Sequence, residues 1–213
     1  MTHVLAINGT WIVPTPKSLP SVANYALGGW QLGGILSVRS GLPFTPIIGG
    51  DPLGLNTDDF TFPNRSKSGA CASATTGDPA AYINVSCFSL PVPNPAITGS
   101  CARFGQNADG SGGIAGTCAN LVGNAGRNSL RGPGLIDFDF SLFKNNYIPR
   151  ISESFNIQFR AEMFNVLNRP NFLSPAANST IFFQDGTSVG GAGLINGTST
   201  DPRRIQFGLK VIW

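Results

Sequence analysis

Strict alternation of apolar and polar residues is the feature that most constrains how this chain folds. The clearest case is the segment 136–142, where isoleucine, phenylalanine and leucine hold the even positions and aspartate and serine hold the odd ones. The segments 5–13, 30–39, 155–163 and 205–213 alternate in the same way. Period two puts successive side chains on opposite faces of a strand, so each segment is predicted to be a β-strand with one apolar face.

Alternation alone leaves open what the apolar faces contact. In a soluble sandwich they pack against a second sheet, whereas in a membrane barrel they face lipid. Only 12 % of the residues are charged, against roughly 25 % in an ordinary soluble domain. The net charge of +3 is small and not gathered into a basic stripe, so nucleic acid is not a predicted partner. No apolar run reaches the ~18 residues of a membrane-spanning helix.

The lengths of the connections between these segments alternate as well. The first and third connections are short, whereas the second, residues 42–134, and the fourth, residues 168–204, are very long. Long structureless loops count against an ordinary globular domain. Short turns on one side and long loops on the other are typical of outer-membrane barrels, so we predict that both long connections are extracellular.

Large aromatic residues fall at one end of the predicted strands. Indole and phenol rings favour a membrane–water interface, because one part of the ring is apolar and another can hydrogen-bond. Core aromatics of a sandwich would explain the tryptophans but not their confinement to one level. We therefore predict a periplasmic-side aromatic girdle formed by Trp11, Trp30, Tyr147 and Trp213.

The polar faces of the strands carry charges of both signs. They are too charged for the core of a soluble sandwich and suit a barrel lumen that contacts water or a plug. The simpler alternative is that they face bulk solvent. The predicted lumen-facing charges are Arg39, Asp137, Asp139, Arg160, Glu162 and Lys210.

Five strands are too few to close a barrel, and open sheet edges are not tolerated in lipid. The predicted fold class is therefore all-β: an antiparallel transmembrane β-barrel fragment of about five long strands with two long extracellular loops. Residues 1–213 are interpreted as a fragment of a larger barrel. Because Met1 runs directly into an alternating segment, an outer-membrane location requires a true N-terminus upstream, with its signal peptide.

All four cysteines lie in the first long connection. Cys71, Cys87, Cys101 and Cys118 form no CxxC pair, so a zinc site is not indicated. Two disulfides in an oxidising compartment are favoured over free thiols. Three pairings are possible, and the sequence does not decide among them. Pairing of neighbours, Cys71 with Cys87 and Cys101 with Cys118, closes two moderate loops and is the preferred arrangement.

Candidate chemistry is sparse. The only histidine, His3, has no supporting motif for a catalytic triad, and we predict neither an enzyme nor a cofactor or metal. Asp137 and Asp139 could resemble paired acids, but we interpret them as structural charges. Residues 105–113 are rich in glycine and lack the lysine and helix of a phosphate loop, so a flexible loop is predicted there.

Four motifs, taken together and in order, resemble a known family. They are LGGWQLGGILSVRSGLPF (27–44), GRNSLRGPGLIDFDFSLFK (126–144), FNIQFRAEMFNVLNRPNF (155–172) and PRRIQFGLKVIW (202–213). The chain resembles the C-terminal portion of TonB-dependent outer-membrane receptors, in particular the Oar-like branch with a carboxypeptidase-regulatory-like front domain. The resemblance implies a barrel of about 22 strands around an N-terminal plug. It further implies import of a scarce nutrient driven by TonB, with plug, TonB box and front domain expected outside this sequence.

The final strand has a further predicted role. An aromatic last residue preceded by alternating apolar residues resembles the signal by which barrel proteins are recognised for assembly, although a plain last strand would also be apolar on one face. The residues concerned are Ile205, Phe207, Leu209, Val211 and Trp213. The expected partners are outer-membrane lipid, the barrel-assembly machinery, the TonB complex through the missing N-terminal part, and an unidentified nutrient.

Two functions therefore remain open from the sequence. The first is a segment of an active-transport receptor in the outer membrane of a Gram-negative-type bacterium, delivering a nutrient to the periplasm. The second is a secreted, disulfide-stapled β binding module whose long polar loop recognises a surface or a carbohydrate. The alternating loop lengths and the four motifs favour the first, and the four cysteines with their polar loop favour the second.

Overall fold

A computed structural model describes residues 2–16, 20–56, 61–94, 96 and 101–213. In chain order the elements are β1 (Val4–Ile12), helix α1 (Ser21–Leu27), β2 (Trp30–Arg39), β3 (Pro43–Phe44), β4 (Ile47–Ile48), β5 (Asn64–Arg65), β6 (Phe88–Ser89), β7 (Leu130–Arg131), β8 (Leu135–Tyr147), β9 (Asn156–Phe164), β10 (Thr180–Phe182) and β11 (Arg204–Ile212), with single 3-10 turns at Gly69–Cys71, Val85–Cys87 and Pro175–Asn178.

The chain divides into two compact units. The first, which we call the sheet unit, comprises Met1–Ser40, Gly134–Asn171 and Thr198–Trp213. The second, the loop unit, comprises Gly41–Pro133 and Phe172–Gly197. The loop unit is therefore built from the two long connections between strands of the sheet unit.

The sheet unit contains one five-stranded antiparallel sheet in the order β1-β2-β8-β9-β11. All five strands lie where the alternating segments predict them, and the all-β antiparallel prediction is confirmed. Each strand pairs with the next long strand along the chain, so the sheet is a simple meander. It is not closed, and β1 and β11 form its two edges.

The register of the sheet keeps the apolar and polar faces separate from strand to strand. Phe138 lies opposite Leu36 on β2, and Phe140 lies opposite Met163 on β9, so these side chains share one face. On the other face Ser141 lies opposite Glu162. Directly opposed residues of antiparallel strands point to the same side, so the two faces run unbroken across all five strands.

Helix α1 lies in the connection between β1 and β2 and was not predicted from the sequence. It begins after Pro20, whose carbonyl accepts the backbone N–H of Asn24 at 2.8 Å, and it ends at Gly28, whose N–H donates to the Asn24 carbonyl at 2.8 Å. Gly29 follows with a φ of +73°, a conformation that glycine adopts without steric cost. In the described part of the chain no helix is both long and apolar enough to span a membrane.

The loop unit has a hydrophobic core of its own. Ile48, Phe104 and Ile181 have no exposed surface and lie at the centre of a cluster of buried residues. Around this cluster β3 pairs with β7 and β5 with β6, both antiparallel, while β4 pairs with β10 in parallel. The β4–β10 pair joins the two long connections, so they form one folded body. The expectation of structureless loops is corrected, since strands this short carry no readable alternation.

Two disulfides cross-link the loop unit. They join Cys71 to Cys87 and Cys101 to Cys118, each with Cα atoms 5.3 Å apart. The prediction of two disulfides is confirmed, and the pairing is that of neighbouring cysteines. Each bond closes a local loop and holds a segment with little regular structure against the core.

Candidate functional site

The polar face of the sheet is the first candidate for a functional surface. The six charges that the sequence assigned to a lumen all lie on this face by register: Arg39, Asp137, Asp139, Arg160, Glu162 and Lys210. They are not paired with one another. Within the described residues the one ion pair joins Arg204 to Asp201, both exposed, at 2.7 Å. That these charges face a lumen stays a prediction.

A polar cavity of about 520 Å³ opens on this face, where β8 and β9 meet the segment that leads into β11. Asp137 and Asp139 form one side, and Thr198, Ser199 and Thr200 form another. The backbone N–H of Asn165 donates to Asp139 Oδ1 at 2.9 Å. Asp137 Oδ1 is buried and has no hydrogen-bond partner among the described residues.

Two buried asparagines hold the rim of this cavity, and sequence reasoning missed both. Asn165 donates through Nδ2 to the carbonyls of Arg169 and Asp201, each at 3.0 Å. Asn171 accepts the backbone N–H of Ile136 at 2.9 Å and donates to the Thr200 hydroxyl at 3.0 Å. Carboxylates, hydroxyls and amides on a fixed frame can bind a hydroxylated or cationic solute through hydrogen bonds.

The acidic residues that line the cavity are Asp137, Asp139 and Asp201. In the parts of the chain that the structure describes, no group of three or more histidine, cysteine, aspartate or glutamate residues is arranged to bind a metal ion. Asp137 and Asp139 are two residues apart on one strand, and no histidine or cysteine lines the cavity with them.

A ladder of amides occupies the polar face at the opposite end of β8 and β9. Asn145 Oδ1 accepts from Asn156 Nδ2 at 3.0 Å and from Gln158 Nε2 at 2.8 Å. Gln158 Oε1 then accepts from Arg160 Nε at 2.6 Å, and the Arg160 guanidinium lies 5.3 Å from the centre of the Phe143 ring. These contacts fix Arg160 by hydrogen bonds and a cation–π contact, without a carboxylate. In the sequence, the signal that could have pointed to these residues is their position on the polar side of the alternating segments.

The predicted girdle residues lie at one end of the strands, but not all on one face. Trp30 is the first residue of β2, and Trp11 and Trp213 are at or beyond the ends of β1 and β11, all with apolar parity. Tyr147, the last residue of β8, lies opposite Asn156 and therefore on the polar face. Tyr147 therefore has the parity of Asp137, and the girdle stays a prediction.

Lys144 lies on the apolar face near this end, opposite Trp30 and Phe159. Its Nζ lies 5.8 Å from the centre of the Trp30 ring and 6.0 Å from that of the Tyr25 ring. The sequence analysis did not single it out, although it continues the even-numbered apolar positions of 136–142. Helix α1 thus brings Tyr25 to the apolar face.

A second cavity, of about 600 Å³, belongs to the loop unit. Its lining combines polar residues, among them Arg103 and Asp185, with apolar ones such as Leu53 and Ala102. The side-chain hydroxyl and the backbone N–H of Thr187 both donate to Asp185 Oδ1, at 2.7 and 2.9 Å, and these hydrogen bonds lower the pKa of Asp185. The carboxylate is therefore charged and its turn is fixed.

The glycine-rich segment 105–113 forms part of the loop unit and is an ordered turn. Gln106 and Gly112 form a β-bridge, and the N–H of Asn107 donates to the Ser111 carbonyl at 3.0 Å. Asp109 accepts from the Ser111 hydroxyl at 2.6 Å and from its N–H at 2.9 Å, which lowers the pKa of Asp109. The glycines supply positive φ angles for a tight, hydrogen-bonded turn, and the predicted flexibility of this loop stays a prediction.

Comparison with protein families identifies the architecture. The sequence model of a family described as "Outer membrane beta barrel domain" matches residues 1–206. The chain belongs to this family. Searches of curated proteins and of solved structures gave no significant match. An outer-membrane β-barrel domain belongs to an outer membrane, and the antiparallel sheet with its two distinct faces is consistent with that assignment.

In an outer-membrane β-barrel domain the last strand has particular interest. The odd-numbered residues of β11 are apolar and well exposed, and they were predicted to carry an assembly signal: Ile205, Phe207, Leu209 and Val211. Trp213 directly follows the strand and is 87 % exposed. One edge of β11 pairs with β9, and its other edge has no partner strand among the described residues. The role in assembly stays a prediction.

Proposed function

We propose that the chain is the C-terminal barrel segment of a TonB-dependent receptor of the Oar-like branch, which imports a nutrient across the outer membrane. The observation that supports this most is the structural difference between the long and the shorter connections. Both long connections fold into one cross-linked body with its own core, whereas β1–β2 and β8–β9 are joined by shorter ones. A receptor needs such bodies on the outer side, where a ligand is first met.

In this proposal the apolar face of the sheet contacts lipid and the polar face lines the lumen. The apolar side chains at both edges of the sheet are exposed, including Leu5, Ile7, Phe207 and Leu209. Exposing so many large apolar groups to water would favour aggregation, whereas lipid removes that cost. The remaining strands of the barrel are proposed to pair with β1 and β11.

The cavity beside Asp137 and Asp139 is the proposed point of solute contact within the segment. Its carboxylates and the hydroxyls of Thr198 and Ser199 favour a polar nutrient over an apolar one. In a lumen, such side chains tune selectivity with little effect on barrel stability. The coupling to TonB is proposed to act through the N-terminal part of the receptor and not through these strands.

The alternative is a secreted β binding module. The loop unit favours it, because a buried core and two disulfides are what a small secreted domain uses for stability. Membership of an outer-membrane β-barrel family argues against a protein that is secreted in soluble form. We therefore assign ligand recognition at the cell surface to the loop unit and anchoring to the sheet unit.

The reading frame upstream of Met1 tests the proposal most cheaply. An in-frame plug and signal peptide are expected, and the protein made from that frame should fractionate with the outer membrane and need detergent for extraction. Binding of the purified periplasmic domain of TonB to this longer protein is the second expected result. A stop codon with a separate promoter upstream, or a monomer that is soluble without detergent, would contradict it.

A further inference from the structure

Lys144 is a charged residue within an apolar surface. It lies on β8 with the same parity as Phe138 and Phe140, and its neighbours across the sheet are Trp30 and Phe159. The lysine is only 9 % exposed. A cation in such a position needs compensation, because removing an ammonium group from water is costly.

The contacts that the protein offers to this cation are all neutral. Nζ donates to the Tyr25 carbonyl at 2.9 Å, to Asn146 Oδ1 at 2.8 Å and, over a longer 3.4 Å, to the Asn145 carbonyl. The rings of Tyr25 and Trp30 add cation–π contacts. No carboxylate oxygen of the described residues lies within 4.0 Å of Nζ. The positive charge is therefore held in place but is not neutralised.

A cavity of about 440 Å³ lies beside this cation within the sheet unit. Thr15 and Asn24 line it from the α1 side and Tyr147 from the end of β8, so hydroxyl and amide donors surround it. Lys144 is the one charged side chain among the described residues that line it. A cation, neutral donors and no acid in the lining are the chemistry that recognises a phosphate oxygen.

The surroundings of the cavity place it at the edge of an apolar surface. Helix α1 exposes Val22, Tyr25 and Leu27, and the end of β1 exposes Trp11. The Trp30 indole N–H donates to the Ala26 carbonyl at 3.0 Å, which fixes α1 beside the start of β2. Apolar and aromatic groups around a cation are typical of the level where lipid headgroups meet acyl chains.

We propose that this cavity binds the phosphate of an anionic phospholipid in the periplasmic leaflet. Lys144 supplies the counter-charge, and the third proton of its ammonium group, engaged only by the long contact to Asn145, turns to a phosphate oxygen. The acyl chains lie along the exposed side chains of α1 and the apolar face of the sheet. The site rests on the proposed membrane orientation, which puts the short connections on the periplasmic side.

The longer protein made from the upstream reading frame, in which the remaining strands close the barrel, tests this site in nanodiscs. One set contains phosphatidylcholine alone and the other contains phosphatidylglycerol as well, and native mass spectrometry counts the lipids retained. The wild type should retain phosphatidylglycerol about fivefold better than phosphatidylcholine, the preference expected of one lysine near an anionic surface. Lys144→Met should abolish this preference and Lys144→Arg should keep it. Lys210→Met, on the opposite face, should leave it unchanged.

A second measurement needs no change at Lys144, in case that variant fails to fold. Brominated phosphatidylglycerol should quench the wild-type tryptophan fluorescence more than brominated phosphatidylcholine, and Trp30→Phe should remove this surplus. Equal retention by the wild type and Lys144→Met, or equal quenching by both lipids, overturns the site. Displacement of the lipid by millimolar inorganic phosphate would assign the site to a soluble anion and overturn the lipid assignment.

The two proposals fail in different ways. A longer protein with all its barrel strands that does not enter nanodiscs of either composition contradicts the membrane placement and the lipid site with it. A chain that enters both but retains the two lipids equally overturns the lipid site alone. Import of a nutrient is tested separately, by the upstream reading frame and the TonB-binding measurement.

Discussion

The sheet unit and the loop unit use apolar residues in opposite ways. In the loop unit Phe104 and Ile181 are fully buried, whereas Phe207 and Leu209 of the sheet are each 71 % exposed. The one buried hydrophobic residue among the described part of the sheet unit is Ala161, and polar side chains such as Asn156 and Asn165 are buried there instead. The same chain thus contains a body with a buried apolar core and a sheet whose apolar side chains stay exposed, as the proposed contact with lipid requires.

The difference also shows where each unit obtains its stability. The loop unit combines hydrophobic burial with two covalent cross-links, as a small body with little regular structure requires. The sheet is held by backbone pairing along five strands and by amide ladders on its polar face. Changes to the core or to the disulfides should therefore act on one unit, and changes to the apolar face should act on the other.

Loss of both disulfides should have the largest effect. Replacing all four cysteines by serine removes two disulfides, whose cysteines are 16 and 17 residues apart in the sequence. Each disulfide is worth about 3 kcal/mol of stability. We expect the loop unit to become protease-sensitive while the far-UV signal of the sheet in detergent is retained. Replacing Ser73 and Ser86 by alanine is the matched control. Simultaneous loss of both signals would show that the two units do not unfold separately.

Truncation of a core residue should come next. Ile181→Ala leaves a cavity in the loop unit, and a fully buried isoleucine of this kind costs about 2–5 kcal/mol. Leu209→Ala in the sheet leaves no cavity and should cost only the lost contact with lipid, about 1–2 kcal/mol. Urea unfolding in vesicles measures both losses of stability. Proteolysis reports unfolding of the loop unit, and the shift in electrophoretic mobility reports unfolding of the sheet. If Ile181→Ala and Leu209→Ala changed the same probe by the same amount, the two units would not differ in the way proposed.

A charge on the apolar face should cost somewhat less. Phe140→Lys places a cation near the middle of β8 on the lipid side, which costs about 2–4 kcal/mol in a barrel. Ser141→Lys, one residue away on the polar face, should change stability by less than about 1 kcal/mol. Folding into vesicles at increasing urea compares the two. A larger cost for Ser141→Lys would reverse the assignment of the faces.

The smallest effect concerns pH and is confined to the loop unit. Hydrogen bonds from Ser111 hold the pKa of Asp109 below its ordinary value of 3.8. The resulting stability is fully present above the ordinary carboxyl pKa and is lost as the pH falls through the lowered one. The amide signal of Ser111 should shift in that acid range, and Asp109→Asn should abolish the shift. A shift centred above pH 5 would contradict the assignment.

The sheet could be predicted because alternation is a local signal that each strand carries by itself. The alternation in the segment 136–142 predicts both a strand and its two faces, and β8 is found there. The loop unit could not be predicted, because its parallel pair brings Ile47 and Thr180 together from distant parts of the chain. Strands of two or three residues have no period to read.

The candidate sites divide in the same way. The face of Asp137 and Asp139 followed from parity, but the cavity beside them depends on Asn165 and Asn171, which lie outside the alternating segments. Lys144 was readable as a break in the apolar positions, yet its partner Tyr25 comes from a helix of seven residues that shows no period. Long-range packing, and not composition, decides these contacts.

One measurement tests most directly whether the apolar face of the sheet contacts lipid. Nitroxide labels are placed one at a time on cysteines introduced at positions 136–142 of the longer protein in vesicles, where the four native cysteines of this segment are protected as disulfides. Even positions should be more accessible to oxygen and odd positions to a water-soluble nickel reagent, alternating with period two. Uniform access to the nickel reagent at all seven positions would contradict a membrane-facing sheet.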